Sequence, residues 1–384
     1  MTKFDTRESR PRRLADITIL PLTNGSYVLL RGDGYSDVPD ATIVKRWTRR
    51  NTGRSLLTLP WRTGPNSESQ ALDMAVATGL LQDFLSESEL ALTVRGRLRA
   101  PRFEFKFRGH AQEIALVADG VQVEVDSGFE GEGLHLIEAK LGTRTNFHVR
   151  QLYYPMRMWA RLVPSKPVST LFLSWSNRCF SLRSFGFAPV DEYHALHPIA
   201  ATDYILDEPK AIPSLPEVLS ATRLGSLPLL PFPQADDLRR VIDVVDAVAA
   251  GSNTRTRMSV RYGFDERQSD YYANAAAFLG LVLRADTAFS LSAIGTEFVN
   301  ADLTGRQSII LRQLAASPVF REVLAEIVTN QRYPSRLWVS ELIARVTGLT
   351  GATPPRRATT VLSWARWAVE ITETALPDVA GPRT

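Results

Sequence analysis

The chain has 384 residues, of which 44% are hydrophobic and 22% are charged, a balance typical of soluble globular proteins. Its length predicts two or three domains, since a domain usually holds about 100–200 residues. No apolar run approaches the ~20 residues of a membrane-spanning helix, and the basic N-terminus lacks the apolar segment of a secretory signal. The single cysteine, Cys179, excludes an intramolecular disulfide and a cysteine-based zinc site. We therefore expect a cytoplasmic protein.

The positive charge of the chain permits binding to nucleic acid without establishing it. The net charge is +4, and the pI is about 9.2. Arginine dominates the basic residues, and its guanidinium group suits phosphate oxygens and guanine edges. Because the excess is small for a chain of this length, charge alone leaves both binding and non-binding proteins open.

The first residues predict a basic arm followed by a small β-structure. Residues 1–15 are rich in arginine and poor in apolar side chains, so we expect a disordered or loosely docked tail. Two short apolar runs, residues 17–20 and 27–30, flank a Thr-Asn-Gly-Ser turn and predict a hairpin. The basic cluster at residues 45–50 surrounds Trp47. It is compatible with a nucleic-acid contact and with a surface element that has one core anchor.

An amphipathic helix is predicted over residues 66–85, with Ser67 or Ser69 as its N-cap. Glu68 lies in its first turn, where a carboxylate complements the helix dipole. Residues 90–107 alternate apolar side chains with arginines and are interrupted by a proline, which predicts two strands or an edge strand with a turn. These arginines are compatible with a phosphate-binding surface and with a solvated strand face.

The centre of the chain combines charged residues with the pattern of two strands. Residues 121–126 alternate valines with polar residues, the period of a half-buried strand. After a glycine-rich turn, a second strand is predicted over residues 134–141, in which Glu138 and Lys140 share a face because they are two apart. If the strands pair as a hairpin, Asp126, Glu138 and Lys140 converge at one edge. Two carboxylates and a lysine there can bind a divalent cation and position a water.

The alternative is that these charges form a solvated strand face, the usual outcome for a lone Glu-x-Lys. The apolar residues before Glu138 argue against it, because they are typical of a buried strand and burying charges without a purpose is costly. The next residues, 146–157, predict a helix that carries Gln151. Strands are predicted beyond it over residues 168–174 and 179–187, with another around residues 193–205.

This arrangement resembles the motif of the PD-(D/E)XK nuclease superfamily. Asp126 is followed after eleven residues by Glu138-Ala-Lys140 and then by the helix with Gln151. The segments EVDSGFEG, LIEAKLG and NFHVRQLYYP are similar in particular to a group of type II restriction endonucleases. Val125 stands where the motif name has proline, at a position that carries no chemistry.

The resemblance implies a mixed β-sheet flanked by helices and Mg²⁺-dependent cleavage of DNA. Asp126 and Glu138 would bind the metal, with the Ala139 carbonyl as a further ligand. Lys140 would orient or help deprotonate the attacking water and stabilise the developing charge. Gln151 would hold the phosphate or the lysine.

Two more carboxylates are second-rank candidates for the same site. In this family a glutamate from a helix before the hairpin often joins the metal site, which brings in Glu68. Glu124 is a fallback because it lies on the first strand of the hairpin. The five histidines show no metal-binding spacing on a helix, so we expect no zinc site.

The remainder of the chain predicts a proline-rich linker and a winged helix. Residues 209–233 contain six prolines and few charges. Beyond them, three helices, two strands around residues 282–290 and a helix over residues 292–299 follow the order of a winged helix-turn-helix. The third helix, over residues 265–279, would be the recognition helix. It would present Arg267, Gln268, Ser269 and Tyr271, which include the types that read guanine and adenine. Winged helices also mediate protein contacts, so both uses stay open.

The last residues predict further helices. Residues 306–328 read as one long amphipathic helix, and residues 337–346 and 354–371 as a second helix-turn-helix. Thr353 would cap the last helix, and Arg356 and Arg357 would occupy its exposed first turn as further DNA contacts.

These features predict an α/β (α+β) fold whose PD-(D/E)XK core has a mixed sheet flanked by helices, followed by an all-α, winged-helix C-terminal region. A nuclease domain with an N-terminal β extension would span residues 1–207 and a proline-rich linker residues 208–235. A winged helix-turn-helix would span residues 236–300 and a helical region, with a possible second helix-turn-helix, residues 301–384.

The expected function is that of a Mg²⁺-dependent type II site-specific deoxyribonuclease acting on double-stranded DNA. Because one site cuts one strand, double-strand cleavage implies a homodimer or two sequential nicks. A restriction role also implies a partner DNA methyltransferase. Two alternatives remain: a winged-helix regulator with an inactive nuclease-like domain, and a repair or phage-defence nuclease without a restriction role.

Overall fold

The computed structural model describes residues 4–47, 58–60, 63–206, 210–263 and 265–372. The chain divides into Met1–Glu208 with Tyr262–Phe264, called here the N-terminal unit, and Pro209–Arg261 with Asp265–Thr384, the C-terminal unit. Within the described ranges, no helix is long and apolar enough to cross a membrane. Residues 48–50 of the predicted basic cluster lie outside the described residues.

The N-terminal unit is rich in strands. In chain order its elements are two 3₁₀ turns (Arg7–Ser9 and Arg12–Leu14), β1 (Ile17–Pro21), β2 (Tyr27–Arg31), β3 (Tyr35–Asp37), β4 (Ile43–Arg46), α1 (Glu68–Ala77), α2 (Leu80–Leu85), β5 (Ala91–Arg99), β6 (Phe103–Arg108), β7 (Glu113–Ala118), β8 (Gln122–Glu130), β9 (Leu134–Leu141), β10 (Asn146–His148), α3 (Arg150–Leu162), β11 (Val168–Ser176), β12 (Cys179–Phe187) and β13 (Leu196–Ile205). The predicted β1–β2 hairpin is confirmed.

A mixed sheet forms the centre of this unit, and the strands described in it follow the order β4-β13-β12-β11-β9-β8-β5. The strands β5, β8 and β9 are antiparallel neighbours, whereas β9 and β11 run parallel and are joined by α3. A parallel pair needs such a crossover because the chain must return to its starting end. The predicted order of strand, strand, helix and strand is therefore present as β8, β9, α3 and β11. The mixed α/β class is confirmed.

The two central strands differ in burial for reasons visible in their sequences. In β8 the valines at positions 123 and 125 are buried, whereas Gln122 and Glu124 are exposed. Nearly every residue of β9 is buried, as expected for a strand inside a sheet that is covered on both faces. Glu138 and Lys140 thus lie within a strand whose other residues, except His135, are apolar. The break between β5 and β6 confirms that residues 90–107 form two strands.

The helix predicted over residues 66–85 is two helices. The first, α1, ends at Ala77, and α2 begins at Leu80 after Gly79, whose φ is +75°. Glycine adopts this left-handed conformation without the steric cost that other residues meet, so Gly79 ends α1 although the apolar pattern continues. Ser67 is confirmed as the N-cap, because its Oγ accepts a hydrogen bond from the Gln70 N–H at 3.2 Å.

The basic arm is docked within residues 4–14, so the expectation of a disordered or loosely docked tail is wrong there. The Arg7 guanidinium lies 2.9 Å from an oxygen of Asp33 and forms a second ion pair with Asp37. Its main-chain N–H donates to Oδ1 of Asn146 at 2.8 Å. The composition of the arm gave no sign of these partners because they are distant in sequence.

The C-terminal unit is largely helical. In chain order its elements are α4 (Leu215–Ala221), α5 (Leu238–Ala249), α6 (Arg255–Tyr262), α7 (Glu266–Phe278), β14 (Val282–Ala285), β15 (Ala288–Leu291), α8 (Ala293–Asn300), α9 (Leu303–Ala316), α10 (Pro318–Asn330), α11 (Arg336–Thr347) and α12 (Thr353–Ile371). The strands β14 and β15 pair as an antiparallel hairpin. The elements from α5 to α8 follow the order that the sequence predicts.

The proline-rich segment contains a helix, which the prediction of a plain linker omitted. Helix α4 begins with a capping box between Ser214 and Glu217. The Arg321 side chain of α10 donates to the Leu219 carbonyl at 2.7 Å. Phe232 is buried, and its ring lies 5.4 Å from that of Phe278. Helix α4 and Phe232 are therefore packed within the C-terminal unit, whereas Leu224 and Leu229 of the same segment are exposed.

The single helix predicted over residues 306–328 is also wrong. Helix α9 ends at Ala316, and α10 begins at Pro318. Proline has no N–H for an intrahelical hydrogen bond and is favoured in the first turn of a helix. The chain therefore turns at Ser317 although the amphipathic pattern runs on.

Candidate active site

Asp126 and Glu138 meet where the ladder between β8 and β9 ends. The paired positions run from Glu130–Leu134 to Ser127–Ile137, so Asp126 and Glu138 are the next facing positions. The main-chain N–H of Ala139 donates to Oδ2 of Asp126 at 2.8 Å. This bond holds the Asp126 carboxylate against β9.

Glu138 is the centre of a hydrogen-bonded cluster. It is 8% exposed, and its Oε1 accepts hydrogen bonds from Lys140 Nζ and from Gln151 Nε2. Lys140 Nζ also donates to the Ala139 carbonyl at 3.1 Å and lies 3.6 Å from Oε1 of Glu68. The structure thus brings together the hairpin residues, a residue of α1 and a residue of α3, as the sequence predicts.

Two helix starts position the residues that reach this cluster from outside the hairpin. Glu68 is the first residue of α1, directly after the N-cap Ser67, and Gln151 is the second residue of α3. Gln151 uses its amide N–H on Glu138, while its buried Oε1 has no hydrogen-bond partner among the described residues. An unpaired buried acceptor is unfavourable, so this oxygen is available to a donor from a substrate or a water.

Burial and repulsion from neighbouring carboxylates raise the pKa values of two residues of the cluster, Glu138 and Glu68. Burial, with smaller contributions from Asp126 and Glu68 and against the opposing effect of Lys140, raises the pKa of Glu138 to about 8. Burial also raises the pKa of Glu68. For Lys140, burial lowers the pKa, but the three carboxylates outweigh it and hold the pKa above the ordinary lysine value. The cluster therefore keeps Lys140 as an ammonium and disfavours the charged forms of Glu138 and Glu68, which a bound cation would stabilise.

The donor set fits Mg²⁺, although the side chains are not arranged around a metal position. Among the described residues, no three His, Cys, Asp or Glu side chains form a group that could hold a metal ion. Mg²⁺ usually keeps several waters and needs only one or two carboxylates, which Asp126 and Glu138 supply. The Ala139 carbonyl, predicted as a further ligand, here accepts the hydrogen bond from Lys140.

Glu68 and Glu124, the second-rank carboxylates, differ in position. The structure places Glu68 beside Lys140. The Glu124 side chain is 53% exposed and lies 3.5 Å from Nε of Arg97 on the neighbouring strand β5. Glu124 nevertheless lines the same small pocket as Glu138 and Gln151, so it borders the cluster while its carboxylate pairs with Arg97.

Ser127 is a neighbour of the site that the sequence prediction missed. It is fully buried, and its Oγ donates to the Asp126 carbonyl at 2.6 Å. The Arg95 side chain, from β5, donates to the same Oγ through Nε at 3.2 Å and Nη2 at 3.0 Å. A serine directly after the aspartate on the same strand was the available signal. Ser127 and Arg95 fix the backbone that carries Asp126.

The predicted base-reading residues of α7 only partly face solvent. Ser269 is fully buried, and its Oγ donates to the Asp265 carbonyl at 3.2 Å, so its prediction as a DNA contact is wrong. Gln268 is the third residue of α7 and forms a capping box with the N-cap residue, Asp265. Arg267 is exposed and donates through Nε to the Tyr271 hydroxyl at 2.7 Å. Of the four predicted residues, Gln268 is therefore used in the helix cap, whereas Arg267 remains exposed.

The start of α12 also differs from the prediction. Ala352, not Thr353, is the N-cap, and it makes no side-chain capping bond. Arg356 is exposed as predicted, whereas Arg357 is half-buried. Thr353 lies inside the helix because the turn that precedes it ends one residue earlier than expected.

Comparisons with known proteins place no activity on either unit. Residues 31–205 match the family model described as Domain of unknown function (DUF6997), and residues 240–373 match the one described as Domain of unknown function (DUF7226). No curated protein matches the chain, and no solved structure matches it.

Proposed function

We propose that the chain is a Mg²⁺-dependent DNA endonuclease with a PD-(D/E)XK core that cleaves double-stranded DNA at a specific sequence. The observation that carries the proposal is the meeting of Asp126 with Glu138 and Lys140 at the end of the β8–β9 ladder. The order β8, β9, α3 and β11 supports it, because it is the order that the resemblance implies.

Each residue of the cluster has a role in this proposal. Asp126 and Glu138 would hold Mg²⁺, which when bound lowers the pKa of a coordinated water far below the ~15.7 of bulk water. Lys140, an ammonium among carboxylates, would orient the attacking water and stabilise the negative charge that develops on the phosphorus oxygens. Gln151 orients Glu138 through its N–H and has Oε1 free for a water or for the lysine.

A DNA-binding regulator with a nuclease-like scaffold is the second candidate. It is favoured by the absence, within the described ranges, of a three-residue metal-binding group. The intact set of Asp126, Glu138 and Lys140 argues against it, because a protein without catalytic activity has no need to bury these charges together. A repair or phage-defence nuclease shares the proposed chemistry and differs only in substrate.

The partners follow from the chemistry of two-strand cleavage. One cluster hydrolyses one phosphodiester bond, so we propose a homodimer or two successive nicks on one duplex. A restriction role would require a DNA methyltransferase that protects host DNA.

The deciding experiment is incubation of the full chain with phage DNA and Mg²⁺. Discrete fragments support a restriction enzyme, and a smear supports a nuclease without sequence specificity. Intact DNA would reject the nuclease and favour the regulator. EDTA should abolish cleavage if a divalent cation is required.

Matched lysine variants link the activity to this cluster. Lys140→Ala should abolish cleavage and retain DNA binding. Lys166→Ala removes the same charge beside the far end of the same hairpin, where Lys166 lies 2.6 Å from Oε1 of Glu130, and should cut like the wild type. Full cleavage by Lys140→Ala would reject the site.

A further inference from the structure

Two arginines lie near the N-terminus of α12, the end of the helix at which the dipole is already positive. Its N-cap, Ala352, makes no side-chain hydrogen bond, and no acidic residue lies in the first turn. Arg356 and Arg357 follow directly, although the positive end of the helix dipole disfavours cations. An anion at this end would accept hydrogen bonds from the uncapped main-chain N–H groups and would also balance the positive charge of the arginines.

Arg357 is also incompletely paired. It is half-buried, and its Nε and Nη1 are shielded from solvent without a hydrogen-bond partner in the described part of the chain. Burial lowers the pKa of Arg357, and the charge of Arg356 lowers it further. A shielded guanidinium without acceptors is unfavourable. An acceptor from outside the chain would therefore stabilise this side chain.

A further arginine borders the same turn. Arg336, the first residue of α11, donates to the Pro355 carbonyl from Nε at 3.1 Å and from Nη2 at 2.9 Å. We call Arg336, Arg356 and Arg357 the α12 basic patch.

One carboxylate opposes the α12 basic patch without neutralising it. Asp236 raises the pKa of Arg357, but this effect is smaller than those of burial and Arg356. Asp236 also accepts a hydrogen bond from the Thr360 hydroxyl. The combined effect of these neighbours still leaves the pKa of Arg357 below its ordinary value.

We propose that the α12 basic patch binds the phosphate backbone of double-stranded DNA, with Arg356 and Arg357 as the main contacts. The choice of DNA as ligand rests on the proposed function. Arginines at the starts of two helices that are hydrogen-bonded to each other suit the repeated phosphates of a duplex better than one small ion. Drawing Arg357 outward breaks no hydrogen bond of Nε or Nη1. Such contacts carry no sequence information, so the patch supplies affinity rather than base recognition.

The test measures DNA binding by the full chain without divalent cations, so that no cleavage occurs. Fluorescence anisotropy with a labelled duplex is recorded from low to high salt. Arg356→Ala/Arg357→Ala should bind at least about tenfold more weakly, and its log–log salt slope should be smaller by about 2. Arg357→Gln alone, which preserves the shape of most of the side chain, should reduce the slope by about 1.

The matched control is Arg312→Ala/Arg345→Ala. It removes the same charge from exposed arginines of the C-terminal unit that pair with Glu297 and Glu322. Its affinity should stay close to that of the wild type. Melting temperatures exclude loss of folding, and if the alanine variant is unfolded, the comparison rests on Arg357→Gln.

Four results would overturn the inference. The first two are unchanged affinity and salt slope in the patch variants, and a loss of affinity in the control equal to that in the patch variants. The third is a wild-type protein that does not bind DNA. The fourth is a protein that inorganic phosphate stabilises against heat through the patch but that does not bind DNA. The last identifies a site for free phosphate. Cleavage with Mg²⁺ is assayed separately: binding through the patch without cleavage rejects the nuclease alone, and cleavage with unaffected patch variants rejects this inference alone.

Discussion

Glu138 accepts a hydrogen bond from Lys140, two residues further along the same buried strand. The bond joins an ammonium group to a carboxyl group inside a strand whose other residues, except His135, are apolar. Burial still raises the pKa of Glu138 to about 8, so the lysine only partly offsets the cost of the carboxylate. Such a cost is common where a site is arranged for function rather than for stability.

Replacing Glu138 should therefore separate stability from activity. In Glu138→Gln the neutral amide keeps an acceptor for Lys140 and removes the repulsion from Asp126 and Glu68. We expect an unchanged or higher melting temperature and at least about a 100-fold loss of Mg²⁺-dependent cleavage. Glu130→Gln, on the same hairpin, is the control and should keep full cleavage. A Glu138→Gln protein that cuts normally would contradict the role of Glu138.

Two substitutions of Asp126 should likewise separate the loss of cleavage from the loss of stability. Asp126→Asn can still accept the hydrogen bond from the Ala139 N–H, so the fold should be retained while cleavage is lost. Asp126→Ala removes the acceptor as well and should cost about a further 1 kcal/mol of unfolding free energy. Chemical denaturation of both variants, with cleavage assays, measures the two effects. Equal stability of the variants would show that the bond to Ala139 contributes nothing.

His148 should make the protein sensitive to acid. It is 3% exposed, and burial, with smaller effects of Arg150 and Arg10, holds its pKa well below the ordinary value of 6.5. The unfolded chain therefore binds this proton first. Stability is complete above about pH 6.5 and falls as the pH drops towards the folded pKa, by at most about 1.4 kcal/mol per pH unit for one proton.

Denaturation curves between pH 7 and pH 5 test this prediction. His148→Gln cannot bind the proton, so its stability should vary less with pH than that of the wild type, even if it is lower throughout. His110→Gln, which replaces an exposed histidine, is the control and should keep the wild-type dependence. An identical pH profile for His148→Gln and the wild type would reject the assignment.

The C-terminal unit contains an ion pair in which the arginine is buried. Removing only the carboxylate should destabilise the protein more than removing both charges. Arg306 of α9 is 1% exposed and donates two hydrogen bonds of 2.9 Å to Asp246 of α5. Asp246→Ala leaves the buried guanidinium without its carboxylate, although the bond to the Val299 carbonyl remains, and should cost about 3 kcal/mol. Arg306→Met combined with Asp246→Ala removes both charges and should recover part of that loss. A double variant less stable than Asp246→Ala alone would contradict this account.

The sequence by itself determined the local features of this protein. The alternation of Val123 and Val125 with polar residues indicated the strand β8, and the apolar run before Glu138 indicated the buried strand β9. Ser67 and Ser69 together indicated the start of α1 to within two residues. These predictions depend on the period of one element or on a hydrogen bond within a few residues. Such interactions are fixed by the chain itself, and so the hairpin that carries the candidate site could be read directly.

Only the tertiary structure decided which side chains meet across elements. It brings Glu68 beside Lys140 and Gln151 onto Glu138, but directs Glu124 to Arg97. It also buries Ser269 and commits Gln268 to a helix cap. The sequence period shows which face of a strand or helix a residue occupies. Its partners depend on what packs against that face and on which nearby polar groups form hydrogen bonds with its side chain. That physical difference separates the predicted hairpin from the assembled site.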